Sequence, residues 1–375
     1  MLLAILIGVM AHGGPSKPVV VGPRRTTSAS PVYRFVSRER GAKLSFRCAF
    51  DRPRLHPCKA RYRQRLAVGR HVLRVRAVDR HGRRSPLTRV VVRRVTGARL
   101  REIDVGGRPF SLAEAAGSLW IANFLSGTVE RLDPATNRVT ARIQVGGEPY
   151  GLAAGGGSVW VGNNGSDSVA RIDTATNQVA RIPVGDRPIG IGYDGSDGSV
   201  WVANFGDSAV THIDGTTNAV RGRAIVPGEH EDVVFGFGSV WVPSEEGWIT
   251  RIDPATLAVK ATIPVAADPD FAVVTADWVW TTAYQGTALS RIDPGTNAVA
   301  ATHPVRQGLQ GIAFDGTSFW AANYDDSTLV RLDPASGRTL NTWSTDSGPR
   351  DVLLAFGSVW VANSRASTVL RLTPP

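Results

Sequence analysis

The sequence predicts an all-β protein: a seven-bladed β-propeller over residues 96–375, preceded by a small β-sandwich over residues 32–95. Three observations carry this. A Trp-centred motif recurs at Trp120, Trp160, Trp201, Trp241, Trp280, Trp320 and Trp360, at intervals of 39 to 41 residues. A second motif follows each one: Arg131-Leu132-Asp133, Arg171-Ile172-Asp173, His212-Ile213-Asp214, Arg251-Ile252-Asp253, Arg291-Ile292-Asp293, Arg331-Leu332-Asp333 and Arg371-Leu372-Thr373. Between them, apolar residues alternate with period two and are broken by Gly, Pro and Asn, with no helical period.

Each unit reads as four short strands, the content of a propeller blade. In the second unit an inner strand runs through Gly151-Leu152-Ala153, and the Trp strand follows a Gly-rich turn. A third strand ends in Arg171-Ile172-Asp173. The outer strand of the first unit, Val139 to Val145, follows the turn Pro134-Ala135-Thr136-Asn137. The chain stops after the third strand of the seventh unit. The stretch Leu100-Arg101-Glu102-Ile103-Asp104-Val105-Gly106 matches an outer strand, so it is expected to complete the last blade and remove an open sheet edge. The repeated Trp is expected to pack between blades. The Asp of each Arg-Ile-Asp is expected to bond backbone amides of the next turn.

Upstream, Tyr33 to Val36, Lys43 to Cys48, His71 to Asp79 and Thr88 to Val92 alternate as strands of an antiparallel sandwich. Residues 15–31, rich in Pro, Ser, Thr and Gly, read as a flexible linker. Residues 1–14 are signal-like: apolar Leu2 to Met10 and then Ala11-His12-Gly13-Gly14, without a cationic lead-in. Nine apolar residues are too few for a spanning helix, and no other transmembrane candidate exists. Cys48 and Cys58 are expected to form one disulfide in an exported protein, which places the chain outside the cell or in its envelope.

The formal charge of +11 is divided unevenly. Residues 1–100 hold 24 Lys and Arg against Glu39, Asp51 and Asp79, a net of +21, and the rest is −10. A basic segment suits an anionic partner. An anionic envelope polymer fits export better than nucleic acid does, since few aromatics accompany the arginines.

The propeller repeat resembles the YVTN type, on Trp201-Val202-Ala203-Asn204 and the stretch Ala209 to Val220. The whole array is similar to the virginiamycin B lyase family. The segment carrying Phe46-Arg47-Cys48, Pro57-Cys58 and Gly69 to Asp79 resembles bacterial Ig-like modules, which implies a spacer or adhesive role. The lyase resemblance implies elimination from a cyclic depsipeptide with magnesium and paired His and Glu residues near the channel mouth. Glu229, His230 and Glu231 are the closely placed candidates for that chemistry. The family's His pair is not matched. His212 reads as a surface substitution, and His303 lies on an outer strand. No nucleophile motif, phosphate loop or zinc spacing is present.

Where the repeats disagree, a site is expected. Aligned on Trp, the start of the inner strand holds Phe110, Tyr150, Ile189, Glu231, Asp270, Gln310 and Arg350. The end of the Trp strand holds Asn123-Phe124, Asn163-Asn164, Asn204-Phe205, Ser244-Glu245, Ala283-Tyr284, Asn323-Tyr324 and Asn363-Ser364. Both sets belong to one face of the disc. Phe110, Tyr150, Phe205, Tyr284 and Tyr324 would supply aromatic walls, and Glu231, Asp270, Gln310 and Arg350 polar groups. An acidic arc runs from Glu229 through Glu231 and Asp232 to Asp268 and Asp270. The expected function is an exported, monomeric binding module that presents this face to a ligand or protein partner at the envelope. The alternatives are the magnesium-dependent lyase and a surface-layer structural protein.

Overall fold

A computed structural model describes residues 15–22, 25–26, 30–37, 43–66, 69–94, 99–266 and 268–374. The signal-like segment lies outside them. The chain forms two compact units, divided at Arg99. No helix among the described residues is long and apolar enough to cross a membrane.

The first unit is two sheets on one core. Strands Val19–Val21, Val32–Val36 and Arg61–Arg63 form a three-stranded sheet. Strands Arg25–Thr26, Thr88–Arg94, Gly69–Val78, Ser45–Phe50 and His56–Cys58 form a five-stranded one, in that spatial order. Alternate residues turn inward, so Tyr33, Phe35, Phe46, Phe50, Leu73, Val75, Val90 and Val92 are buried together. Part of the stretch read as linker is therefore structured. Val19-Val20-Val21, a β-branched run, pairs antiparallel with Arg34–Val36, and Arg25-Thr26 pairs parallel with Arg93-Arg94. Cys48 and Cys58 are disulfide-bonded.

Among the described residues, the second unit contains seven four-stranded antiparallel sheets in sequence order. The first comprises Pro109–Ala115, Ser118–Asn123, Thr128–Asp133 and Arg138–Gln144. In the seventh, Pro349–Ala355, Ser358–Asn363 and Thr368–Thr373 are joined by Arg99–Asp104 from the start of the unit, so the strand matched at residues 100–106 fills the place expected of it. The first strand of each sheet touches that of the next, and the seventh returns to the first. That closed cycle of sheets is the arrangement of a β-propeller.

The motif residues explain the packing. All seven motif Trp side chains are buried. Six carry the motif Arg over their rings: Arg131, Arg171, Arg251, Arg291, Arg331 and Arg371 lie 4.7–5.8 Å from the ring centres. In four repeats the Arg Nε also donates to the Ser that opens the Trp strand, at 2.8–3.0 Å. The exception is His212. It is buried rather than on the surface, stacked flat on Trp201 with ring centres 4.3 Å apart. The freed Ser199 hydroxyl accepts from Trp201 Nε1 instead, at 2.9 Å. The motif Asp residues cap their turns, as Asp133 does by accepting from the Ala135 amide at 2.8 Å and the Thr136 hydroxyl at 2.6 Å.

Candidate functional site

One face of the second unit gathers the residues in which the repeats differ, and the backbone shows how. Two residues before each variable position, in six of seven repeats, the chain takes a left-handed conformation: Arg108, Glu148, Arg187, Asp268, Gly308 and Gly348. Four of these are not glycine, so each is held there against a local cost. The carbonyls of these six residues accept from the amides of Phe124, Asn164, Phe205, Tyr284, Tyr324 and Ser364, and that of Glu229 accepts from Glu245 in the seventh repeat. This bond clamps the two variable sets together.

Next comes a register slip. Pro109 pairs with Asn123 but Ser111 with Ala122, which leaves Phe110 as the extra residue of a bulge. Ile189 and Arg350 are extra in the same way. Bulges re-aim side chains, and here they turn the variable residue out of the ladder. In the fourth and fifth repeats the inner strand begins only at Val234 and Ala272, so Glu231 and Asp270 sit on irregular backbone.

The slip is stitched across sheets by the next residue. Asp351 accepts from the Leu112 amide at 2.8 Å, and Asp232 from the Ala272 amide at 3.0 Å. The Ser111 hydroxyl accepts from the Leu152 amide at 3.2 Å. At Gly151 no side chain fits, since a Cβ would run into the Ile189 carbonyl oxygen.

The mouth itself has three parts. The guanidinium of Arg350 lies 4.8 Å from the ring centre of Phe110 and 4.9 Å from that of Tyr150. Its Nη2 contacts Glu231 Oε2 at 3.0 Å and also bonds the Tyr150 hydroxyl, which itself lies 3.1 Å from Glu231 Oε1. Phe124 stacks on Phe110 at 4.6 Å and widens the aromatic shelf. Beside the shelf, carboxylate oxygens of Glu231, Glu245 and Asp270 all lie within 4.8 Å of one another. Gln310 Nε2 donates to Asp270 Oδ2 at 3.2 Å, while the buried Gln310 Oε1 has no partner among the described residues. Farther round, Tyr284 and Tyr324 meet edge to face at 6.1 Å, with Arg365 over Tyr324 at 4.4 Å.

Burial and crowding hold protons on this acidic group. Burial and then the charges of Asp268 and Glu245 raise Asp270 to about 8. Burial, with Asp268, Glu229 and Glu246, raises Glu245 to about 7. Glu231 is pushed well up by burial and by Asp270, Glu245, Asp268 and Asp232, which outweigh the adjacent Arg350. Burial, with a smaller push from the Asp351 charge, lifts the stitching Asp232 to about 6 against its two backbone bonds. The Arg350 guanidinium is lowered to about 10, again by burial first. Carboxyl groups that hold protons near neutrality lose them readily to a cation.

The structure thus joins Phe110, Tyr150, Glu231, Asp270, Gln310 and Arg350 in one constellation. It places Tyr284 and Tyr324 alongside, and it sets Phe205 apart under Arg187 at 4.9 Å. His230 requires correction. It is fully buried, with Nε2 2.8 Å from the Val226 carbonyl and Nδ1 3.2 Å from that of Pro243, so it faces backbone and not the mouth. The inner strand of this repeat begins only at Val234, so no strand register directs these residues, and Glu231 turns to the mouth while His230 turns to the Val226 and Pro243 carbonyls. Glu229 is exposed, its amide bonded to Glu246, so the three side chains do not converge. Glu245, Phe124 and Asp351 complete the site. Glu245 stood in the second variable set, and its acidity in a place otherwise held by Asn, aromatic or Ser residues was the available signal.

No family model matches the chain, and no curated protein does. Among solved structures it is similar to a chain of hydrazine synthase from Kuenenia stuttgartiensis, at 20% identity, covering 70% of this chain and 94% of that one with a TM-score of 0.64. At that identity the likeness concerns the fold alone, and with the closed cycle of four-stranded sheets it identifies the second unit as a β-propeller.

Proposed function

We propose that the chain is an exported binding module: a seven-bladed propeller of the YVTN or virginiamycin B lyase-like kind, behind an Ig-like spacer over residues 32–95. Its mouth binds a ligand through a cation held by Glu231, Glu245 and Asp270. The single observation that carries this reading is the convergence of three carboxylates within 4.8 Å beside an aromatic shelf. The donor set is entirely oxygen, which suits magnesium or calcium rather than a softer metal. Gln310, whose Nε2 bonds Asp270, carries a buried Oε1 without a partner among the described residues, a further oxygen next to the group. Phe110, Phe124 and Tyr150 would hold an apolar or ring-bearing part of the ligand, and Arg350 an anionic part. Equilibrium dialysis against magnesium and calcium tests it. The wild type should retain one cation per chain and Glu245→Gln none. Equal retention by both would overturn the assignment.

One observation favours the lyase as a second reading. Burial and crowding raise Asp270 to about 8, so a cation held by Glu231 and Glu245 alone would leave Asp270 beside it as the carboxyl that exchanges a proton. A bound magnesium ion would polarise an ester carbonyl there. The residues that exchange the proton would be carboxyl groups, since His230 faces backbone. Mass spectrometry of a streptogramin B incubated with the protein and magnesium decides it. Mass-neutral ring opening, seen by fragmentation and lost in Asp270→Asn, supports the enzyme, and an intact substrate rejects that activity.

A further inference from the structure

The outer face of the five-stranded sheet in the first unit carries an arginine ladder with no acid in it. Strand Ser45–Phe50 turns Phe46, Cys48 and Phe50 inward, so Arg47 points out, and Leu73, Val75 and Ala77 likewise leave Arg74 and Arg76 outside. Arg47 and Arg76 are direct cross-strand partners, as are Arg74 and Arg89. Like charges placed opposite each other destabilise a sheet unless something neutralises them.

Nothing described in this unit does so. Asp51 is taken by His71 and the Val72 amide, at 2.6 and 2.8 Å, and Asp79 by Arg83 and the His81 amide, at 2.8 and 2.9 Å. No ion pair among the described residues involves Arg47, Arg54, Arg76 or Arg84.

These four guanidinium groups line one cleft of about 330 Å³, walled by Pro53, Leu55 and Leu87. Two features make it a built site rather than a charged surface. Arg47 Nη2 donates to the Leu55 carbonyl at 3.0 Å, and the Cys48–Cys58 disulfide closes the same loop, so Arg54 is held over the cleft. In its lining, Arg76 Nε is buried with no acceptor among the described residues, a charged donor lacking the partner that its burial demands.

We propose that this cleft binds a phosphate group. Four guanidinium groups offer more donors than a carboxylate's two oxygens can accept, whereas a tetrahedral phosphate presents oxygens in several directions and matches the planar fork. This site deepens the reading of the basic unit as the one that meets an anionic envelope polymer, and it is independent of the propeller mouth.

The test is calorimetric titration of the full chain with inorganic phosphate and pyrophosphate. Wild type, Arg76→Gln, Arg54→Gln and Arg63→Gln are compared, with near-ultraviolet circular dichroism to verify folding. Arg54 and Arg63 are both exposed, but only Arg54 lines the cleft. We expect roughly tenfold weaker binding in the Arg76 and Arg54 variants, the loss of one charge-assisted hydrogen bond, and wild-type affinity in Arg63→Gln. Equal weakening in all three would mean diffuse charge and overturn the proposal. So would acetate binding as tightly as phosphate, or no heat from the wild type. Should Arg76→Gln fail to fold, Arg54→Gln alone carries the test. None of these outcomes depends on Glu231, Glu245 or Asp270, so failure here is distinguishable from failure of the mouth assignment.

Discussion

Replacing Asp270 by Asn should strengthen the propeller in the absence of divalent cations and weaken it, relative to wild type, in their presence. Asp270 is buried, and its carboxyl is raised from 3.8 to about 8. Because the folded state holds that proton more tightly than the unfolded chain, stability falls as pH rises from about 4, and the cost is complete only above about 8. Taken alone, such a shift costs up to about 4 kcal/mol at pH 7, at ~1.4 kcal/mol per pH unit. Glu231 and Glu245 share the same repulsion, so one proton moves among three groups and we expect about 1–2 kcal/mol of gain. Asn keeps the shape and can still accept from Gln310 Nε2.

The readout is denaturant unfolding followed by Trp fluorescence, since all ten Trp residues lie beyond residue 99 and report the propeller alone. The gain should vanish below about pH 3, where the Asp270 carboxyl is protonated in the folded and the unfolded chain alike. Saturating calcium or magnesium should stabilise wild type and leave the variant unmoved. An Asp270→Asn protein less stable than wild type in chelator at pH 8 would refute the electrostatic reasoning.

Three further outcomes are expected. His212→Arg restores the stacking and Ser contact of the other repeats and should add about 0.5–1 kcal/mol. Burial lowers the His212 pKa, so wild-type stability should fall as pH drops through about 6.5, and urea titrations at pH 5 and 7 should show that slope vanish in the variant. Gly151→Ala drives a Cβ into the Ile189 carbonyl and should cost about 2–3 kcal/mol by the same fluorescence assay, whereas Gly157→Ala, with open space around it, should suffer only backbone strain of about 1 kcal/mol. Reducing Cys48–Cys58 reopens a loop ten residues long and should weaken the first unit by about 3 kcal/mol, seen by hydrogen exchange on strands Ser45–Phe50 and Gly69–Val78 with the propeller unchanged.

Much of the fold was legible because repetition turns one weak pattern into seven. The Trp and Arg-Ile-Asp motifs locate every four-stranded sheet of the second unit, and residues 100–106 locate the strand that completes the last one. The mouth was legible as two sets of variable positions, since scaffold residues repeat and a site need not. What the repeat cannot express is direction. The bulges at Phe110, Ile189 and Arg350 are one-residue slips that no periodicity records, and they decide which side chains meet. His230 was misplaced for the same reason: in extended chain, adjacent residues face opposite ways, and the short inner strand of the fourth repeat removes the register that would have shown which. The role of Arg over Trp also escaped, because it joins residues eleven apart on neighbouring strands. Val19 to Val21 was lost in a Pro- and Ser-rich stretch whose composition hid a paired strand.

The most direct test of the cation site is calorimetric titration of magnesium and calcium into the full chain at pH 7, in two buffers of different ionisation enthalpy. With Glu245 and Asp270 protonating at about 7 and about 8, binding should release a proton, so the apparent enthalpy should differ between the buffers. Asp270→Asn should abolish both the heat and the difference. Binding with no proton release, or no binding of either ion, would contradict the assignment of Glu231, Glu245 and Asp270 as the cation site of this propeller.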